Sequence, residues 1–308
     1  MKLFSLLLAF LCLNAQEGLQ TRTKVLMGTF ATISLTESKK DLLKGAFATL
    51  ISIDNSLSSY NQNSPIYKLN KDKKADINLY TYEALLLSKK YYKESAGYFN
   101  IAIGSVTKDL YHFGEDERVP QNWELNTSDT SFDALSFNKR TAKLAQGVKI
   151  DLGGFGKGYG IDRAMEYLKI NGVKKAEVAL SGDIRCLGVC EININNPYSD
   201  EPLLGFLTKK EEIAISTSGN YNRFVGTQKN NHLINPKTKQ SQKDFISITL
   251  ISTLPSSDID AYATAASVMP KELAYKFLNS LDLAYVILES GRALVISENI
   301  SLYVNVQK

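Results

Sequence analysis

Apolar residues recur along this chain with two periods, and the changes of period mark its elements. In 41–57, Leu43, Phe47, Leu50, Ile51 and Leu57 fall on one side of a helix. Helical patterns also fill 79–95, which Gly97 ends, and 158–170, which stops at Asn171-Gly172. Two further helices are expected near 258–269 and 271–280. Strand-like runs occupy 25–35, 149–152, 176–187, 191–194, 213–216 and 245–251, and three more close the chain at 283–289, 292–297 and 301–306. Residues 58–70 are polar and read as a loop. Residues 114–147, polar and broken by Pro120, read as an excursion or weakly structured lobe. The closing strands look hairpin-connected, and no steady β-α alternation runs through the chain. The expectation is an α+β fold with mixed or antiparallel sheets flanked by helices, a single unit in one or two lobes.

With 308 residues, 44% hydrophobic and 22% charged, the chain can bury a substantial core. Its net charge of +4 comes from scattered lysines and short clusters such as Lys71-Asp72-Lys73-Lys74. Such clusters read as solvated faces, and no basic stripe interleaved with aromatics points to nucleic acid. The N-terminus departs from the rest. Met1-Lys2 precedes the short apolar run 3–11, and Ala15 follows, which reads as a secretory signal peptide over 1–15 rather than a membrane span. The expected location is exported and periplasmic. Cys12 would allow a lipid anchor at the inner-membrane face, although Leu11 stands where such a site usually has a small residue. Membrane association is expected only through that lipid or through a partner. Cys186 and Cys190 then remain, and an oxidising compartment favours a local disulfide between them.

Three stretches could carry chemistry. In 257–266, Asp260 and Thr264 sit one helical turn apart on one face if the segment is helical. A carboxylate and a hydroxyl at that spacing suit Mg²⁺, which prefers oxygen and often binds a substrate's phosphates. The same residues also suit a plain helix start, with Ser257 as cap and Asp260 completing a box-like first turn. In 151–162, five glycines, Lys157, Asp151 and Asp162 lie between a strand and a helix. Glycines there could take positive φ and admit a ligand to the backbone. A helix N-terminus suits phosphate, and Lys157 adds charge. The spacing fits neither G-x-G-x-x-G nor a P-loop, and a tight turn requiring small residues is the alternative. Of the two histidines, His112 and His232, the second could serve as a general base or be structural. No G-x-S-x-G elbow supports a serine hydrolase.

In this order the pieces resemble the ApbE family of FAD:protein FMN transferases. The resemblance covers 24–308. It rests on Val25-Leu26-Met27-Gly28-Thr29-Phe30, on Leu57-Ser58-Ser59-Tyr60 with Ser64 and Leu69-Asn70, and on Gly97-Tyr98-Phe99-Asn100-Ile101-Ala102-Ile103-Gly104. It continues through 151–162, Ser181-Gly182-Asp183-Ile184, Ile215-Ser216-Thr217-Ser218-Gly219, His232-Leu233-Ile234-Asn235-Pro236 and 260–265. It implies an exported, Mg²⁺-dependent enzyme that splits the FAD pyrophosphate. FMN would be attached to a Ser or Thr of an exported acceptor flavoprotein domain of an electron-transfer system, and AMP released. By position, Asp260 and Thr264 would bind Mg²⁺, with the Gly154 carbonyl as a third ligand. Met27, Tyr60, Tyr98, Phe99, Asn100, Asp151 and Lys157 would line the FAD site, and His232 would be the base.

Ser181 stands where the family usually has glycine, Gly156 where alanine is common, and Asn100 replaces an acid seen in many members. Two other functions use nearly the same residues. One is an FAD pyrophosphatase giving FMN and AMP, with water replacing the acceptor hydroxyl. The other is a non-enzymatic FAD carrier, for which a metal-plus-base set is superfluous. A homo-oligomer is compatible with the sequence, which does not name the acceptor.

Overall fold

The computed structural model describes residues 18–307, so the expected signal peptide and Cys12 lie outside the described residues. The chain begins with a hairpin of β1 (Leu19–Leu26) and β2 (Thr29–Thr36), where the periodicity predicts one strand over 25–35. Met27 and Gly28 form the two-residue turn with φ of 53° and 73°. Positive φ at both positions matches the twist of paired strands, and only the second residue is the glycine that signals such a turn.

Next come α1 (Leu43–Leu57), α2 (Pro65–Asp72), β3 (Lys74–Asp76), α3 (Leu79–Glu94) and α4 (Gly104–Thr107). α2 lies partly inside the expected loop 58–70. Ser64 caps it by accepting the Ile66 N–H at 3.1 Å, and Pro65 takes a position that needs no donor. Residues 114–147 are likewise structured rather than loose. They hold α5 (Asn122–Thr127), β4 (Leu135–Phe137) and β5 (Thr141–Leu144), the last two joining β3 in a sheet ordered β3-β5-β4. These elements are short and each turns few apolar residues inward, such as Ala142 and Leu144, so the pattern is faint. Segment 149–152 is no strand: Asn70 Oδ1 accepts the Ile150 N–H and the Ile101 carbonyl the Asp151 N–H, each at 2.8 Å.

The second half runs α6 (Gly156–Ile170), β6 (Ala176–Leu180), β7 (Asp183–Leu187), β8 (Glu191–Ile194), β9 (Leu204–Thr208) and β10 (Glu212–Gly219). β11 (Phe245–Ser252), α7 (Ser256–Val268), α8 (Lys271–Asn279), β12 (Ala284–Glu289), β13 (Leu294–Ile296) and β14 (Val304–Val306) follow. An eight-stranded sheet ordered β1-β2-β6-β7-β10-β11-β12-β13 is antiparallel throughout, which makes the protein α+β.

One face of that sheet packs on helices. Ile33, Leu35 and Val178 meet Leu50, Ile161 and Leu168 of α1 and α6. Further along, Ile248, Leu250 and Ile287 meet side chains of α7 and α8. The opposite face is covered by a small sheet ordered β14-β9-β8, through Ile192, Ile194 and Phe206 against Ile213, Ile251 and Val286. Covered on both sides, β11 is buried along its whole length. A disulfide joins Cys186 to Cys190 and ties the end of β7 to the start of β8. Among the described residues no helix is long and apolar enough to cross a membrane.

Candidate active site

The first turns of α6 cross α7 at very close range, and this crossing builds the site. Gly156, Gly158 and Gly160 belong to the helix, and none of the five glycines in 151–162 has positive φ. The positive φ expected of these glycines is not used, and Gly158 serves close contact instead. A Cβ on Gly158 would lie 2.4 Å from the Ser256 carbonyl oxygen and 2.9 Å from Asp260 Cβ. With no Cβ in the way, the Gly158 N–H donates to Asp260 Oδ2 at 3.0 Å. Lys157, the neighbouring residue, forms an ion pair with Asp183 and stands 3.7 Å from Asp260. Asp183 also accepts the Ser216 hydroxyl. One turn along α7, Thr264 Oγ1 donates to the Gly154 carbonyl at 3.0 Å.

Asp260 is available because another residue caps α7. Asp162 accepts the N–H groups of Ser256 and Ser257 at 2.8 and 2.9 Å and the Ser257 hydroxyl at 2.7 Å, while Arg185 stands 3.3 Å from it. The box-like start built on Ser257 and Asp260 does not form. The orphan donors of α7 are satisfied from α6.

Two carboxylates, Asp183 and Asp260, 1% and 3% exposed, thus face one ammonium. Burial and the charge of Asp183 raise Asp260 above the ordinary carboxylate range, with Lys157 acting in the opposite sense. Burial alone would lower Lys157, but the two carboxylates hold it above its ordinary value. The repulsion that raises Asp260 is one a bound cation would relieve, and its carboxyl oxygens, a hydroxyl and a backbone carbonyl form a donor set for a hard, oxygen-seeking cation. These residues therefore fit Mg²⁺.

The crossing opens into a cleft of about 550 Å³, in the size range of cofactor sites. Tyr98, Phe99, Asn100, Asp151, Gly154, Lys157, His232, Asp260 and Thr264 all line it. Met27 and Tyr60 do not. The Met27 thioether packs against Gly160 on α6, and its N–H donates to Asp54 Oδ2 at 3.2 Å. Tyr60 stands behind the wall, donating to the Phe113 carbonyl at 2.9 Å, with the Lys108 ammonium 3.9 Å from its ring centre. Asn100 uses both ends of its amide: Oδ1 accepts the Ala102 N–H at 2.9 Å and Nδ2 donates to the Thr130 carbonyl at 2.8 Å. An acid there could make only the first bond.

Asp151 accepts the Gly153 N–H and the Thr107 hydroxyl, each at 3.0 Å, with Lys108 3.7 Å away. Burial would raise its carboxyl, but Lys108, the Gly153 N–H and Arg223 hold it below the ordinary value. His232 pairs through Nδ1 with the Arg223 carbonyl at 3.1 Å, which makes Nδ1 the donor and leaves Nε2 to accept. Burial, and then the Arg223 charge, lower His232 to about 4, so the ring is neutral at pH 7. His112 is no part of the cleft lining and pairs with the Asp109 carbonyl at 2.9 Å.

The residue patterns assign no role to Asp183, Arg223 or Asp162, although Asp162 lies in the glycine-rich stretch and Asp183 in a family-like segment. Asp183 follows a turn in which Ser181 has φ of +56°, the left-handed region that favours glycine. A glycine would take that conformation without strain, and an acid just after such a turn, within the segment Ser181-Gly182-Asp183-Ile184, is the local signal for Asp183.

Fold and cleft together define an α+β protein whose cleft is lined by two buried carboxylates, a lysine and a histidine. A profile of the ApbE family matches residues 27–287, and the chain belongs to that family. It is 30% identical over 176 residues to the FAD:protein FMN transferase of Klebsiella pneumoniae (strain 342), a match spanning 54% of this chain and only 55% of that protein. It is 24% identical over 238 residues to the FAD:protein FMN transferase of Vibrio cholerae, covering 71% of each. The ApbE protein of Thermotoga maritima superposes with a TM-score of 0.83 at 23% identity, over 93% of this chain and 99% of that one, which establishes the shared fold.

Proposed function

We propose that this protein is an Mg²⁺-dependent transferase that moves FMN from FAD to a Ser or Thr of an acceptor protein and releases AMP. The observation that carries the proposal is the meeting of Lys157, Asp183 and Asp260 with the Thr264–Gly154 contact in one cleft with His232. The relatives described as FAD:protein FMN transferases support it. Asp260, Thr264 and the Gly154 carbonyl would hold Mg²⁺, which when bound neutralises charge on the pyrophosphate. Tyr98 and Phe99 offer aromatic surface to the flavin or adenine rings.

His232 takes the proton of the acceptor hydroxyl at Nε2, since its Nδ1 is already committed. The hydroxyl oxygen then bonds to the FMN phosphorus, the bond from that phosphorus to the bridging oxygen breaks, and AMP departs with the negative charge. The Lys157 ammonium, kept protonated by its two carboxylates, faces that charge. The proton leaves His232 readily because the ring is a weak base here. A signal peptide over 1–15 would place the reaction outside the cytoplasm, where the Cys186–Cys190 disulfide persists.

The test is to mix the protein, FAD, Mg²⁺ and an exported flavoprotein domain carrying its attachment threonine. Intact mass should record an Mg²⁺-dependent FMN adduct that survives denaturation. Free FMN and AMP without adduct would mark a pyrophosphatase, and tight FAD binding with neither product a carrier.

A further inference from the structure

An acceptor must bring a hydroxyl into the cleft, and one wall of the cleft is the edge of a strand. Ile192, Asn193, Ile194 and Asn195 all line it. Side chains alternate between the faces of a strand, so a cavity lying on one face meets every second residue. Three consecutive lining residues of β8, followed by Asn195, mean that the cavity meets the strand edge-on. The side chains agree: Ile192 and Ile194 are buried in the core beneath the small sheet, while Asn193 and Asn195 are exposed.

Hydrogen bonding gives the direction of the free groups. The Thr208 N–H donates to the Cys190 carbonyl at 2.9 Å, so Thr208 and Cys190 face each other across the β8–β9 ladder. On the far side of β9, the Gln307 N–H donates to the Gly205 carbonyl at 2.8 Å. By this alternation the even-numbered residues of β8 turn their backbone groups to β9, and Glu191 and Asn193 turn theirs away. β8 ends its sheet, and among the described residues no strand pairs with that edge. The disulfide fixes the start of the strand to β7, the strand that carries Asp183.

We infer that the acceptor binds by strand addition: an extended segment of the acceptor protein pairs with the open edge of β8 and delivers its Ser or Thr into the cleft. This rests on the transferase reading above. Pairing along a backbone holds a segment in register while demanding little of its sequence. In an added strand alternate side chains point the same way, so the hydroxyl can enter the cleft while its neighbours remain outside. The other exposed strand edges, such as β1, do not border the cleft.

Asn193→Pro tests this, because proline removes the outward N–H while sparing the bonds to β9, and edge strands tolerate it. Wild type and variant would be compared by intact mass with FAD, Mg²⁺ and the flavoprotein domain carrying its attachment threonine. Loss of one backbone bond, with its partner left unpaired, should raise the KM for the acceptor by about ten- to a hundredfold. The KM for FAD should change by less than about threefold, since flavin contacts do not use that N–H. An acceptor KM equal to that of wild type overturns the inference. Should the variant not fold, hydrogen exchange on the wild-type protein decides: adding the acceptor should slow exchange at the Asn193 amide, and unchanged exchange overturns the inference. A wild-type protein that forms no adduct defeats the transferase reading and this inference with it.

Discussion

Gly158→Ala would show whether the α6–α7 crossing sets the site. The added Cβ would stand 2.4 Å from the Ser256 carbonyl oxygen and 2.6 Å from its carbon, which are backbone and cannot swing aside. Reaching an ordinary contact takes roughly 1 Å of helix separation, and overpacking of this kind costs about 1–3 kcal/mol. The same movement stretches the 3.0 Å bond from the Gly158 N–H to Asp260. Losing a hydrogen bond to a buried charge costs about 1.5–3 kcal/mol. Alanine returns about 1 kcal/mol of helix propensity. The net loss is about 1.5–5 kcal/mol, or a melting temperature lower by roughly 3–10 °C in a chain of this size.

Gly156→Ala is the internal control. Its Cβ would meet only Met27 Cε, at 3.9 Å, so that variant should match wild type or gain up to about 1 kcal/mol. Calorimetry and urea midpoints on the three proteins give the comparison. A Gly158→Ala protein melting within about 1 °C of wild type would refute the close-crossing argument, and so would a Gly156→Ala protein that falls equally far.

Asp260→Ala should abolish Mg²⁺-dependent turnover and Mg²⁺ binding measured by calorimetry; retained activity would remove Asp260 from the cation site. For His232 the neutral ring is the working form, and protonation on the acid side removes it. The acid limb of kcat/KM should therefore fall through about pH 4 rather than 6.5. Arg223→Met deletes a charge that lowers His232, so the limb should move upward, and identical profiles would count against His232 as base. Asp162→Ala strips the α7 N-terminus of its acceptors and should cost about 2–3 kcal/mol in denaturant unfolding, with weaker Mg²⁺ affinity. Ser181→Gly should raise stability by about 0.5–1 kcal/mol by relieving a left-handed residue; a destabilised variant would mean that the Ser181 side chain contributes more than its backbone costs.

Much of this molecule is legible in the order of its residues. The helical stripes of α1, α3, α6, α7 and α8 are long enough for a 3.6-residue period to declare itself, and the absence of β-α alternation points away from a doubly wound parallel sheet. Asp260 and Thr264 share a helix face because their spacing leaves no alternative once α7 forms. Other features depend on residues far apart in the chain. Lys157 meets Asp183 and Asp260 only when the β6–β7 hairpin and α7 converge on the start of α6. Local sequence places Asp260 equally well in a capping box. Asp162 makes the difference by taking the donors of α7 from another helix. The glycines at the start of α6 read as a ligand-admitting turn until α7 is laid against them, and Met27 and Tyr60, both within family motifs, fall outside the cleft wall. Periodicity records which side of an element is buried. Which charge meets which, and how closely two backbones approach, is decided by packing across the whole chain.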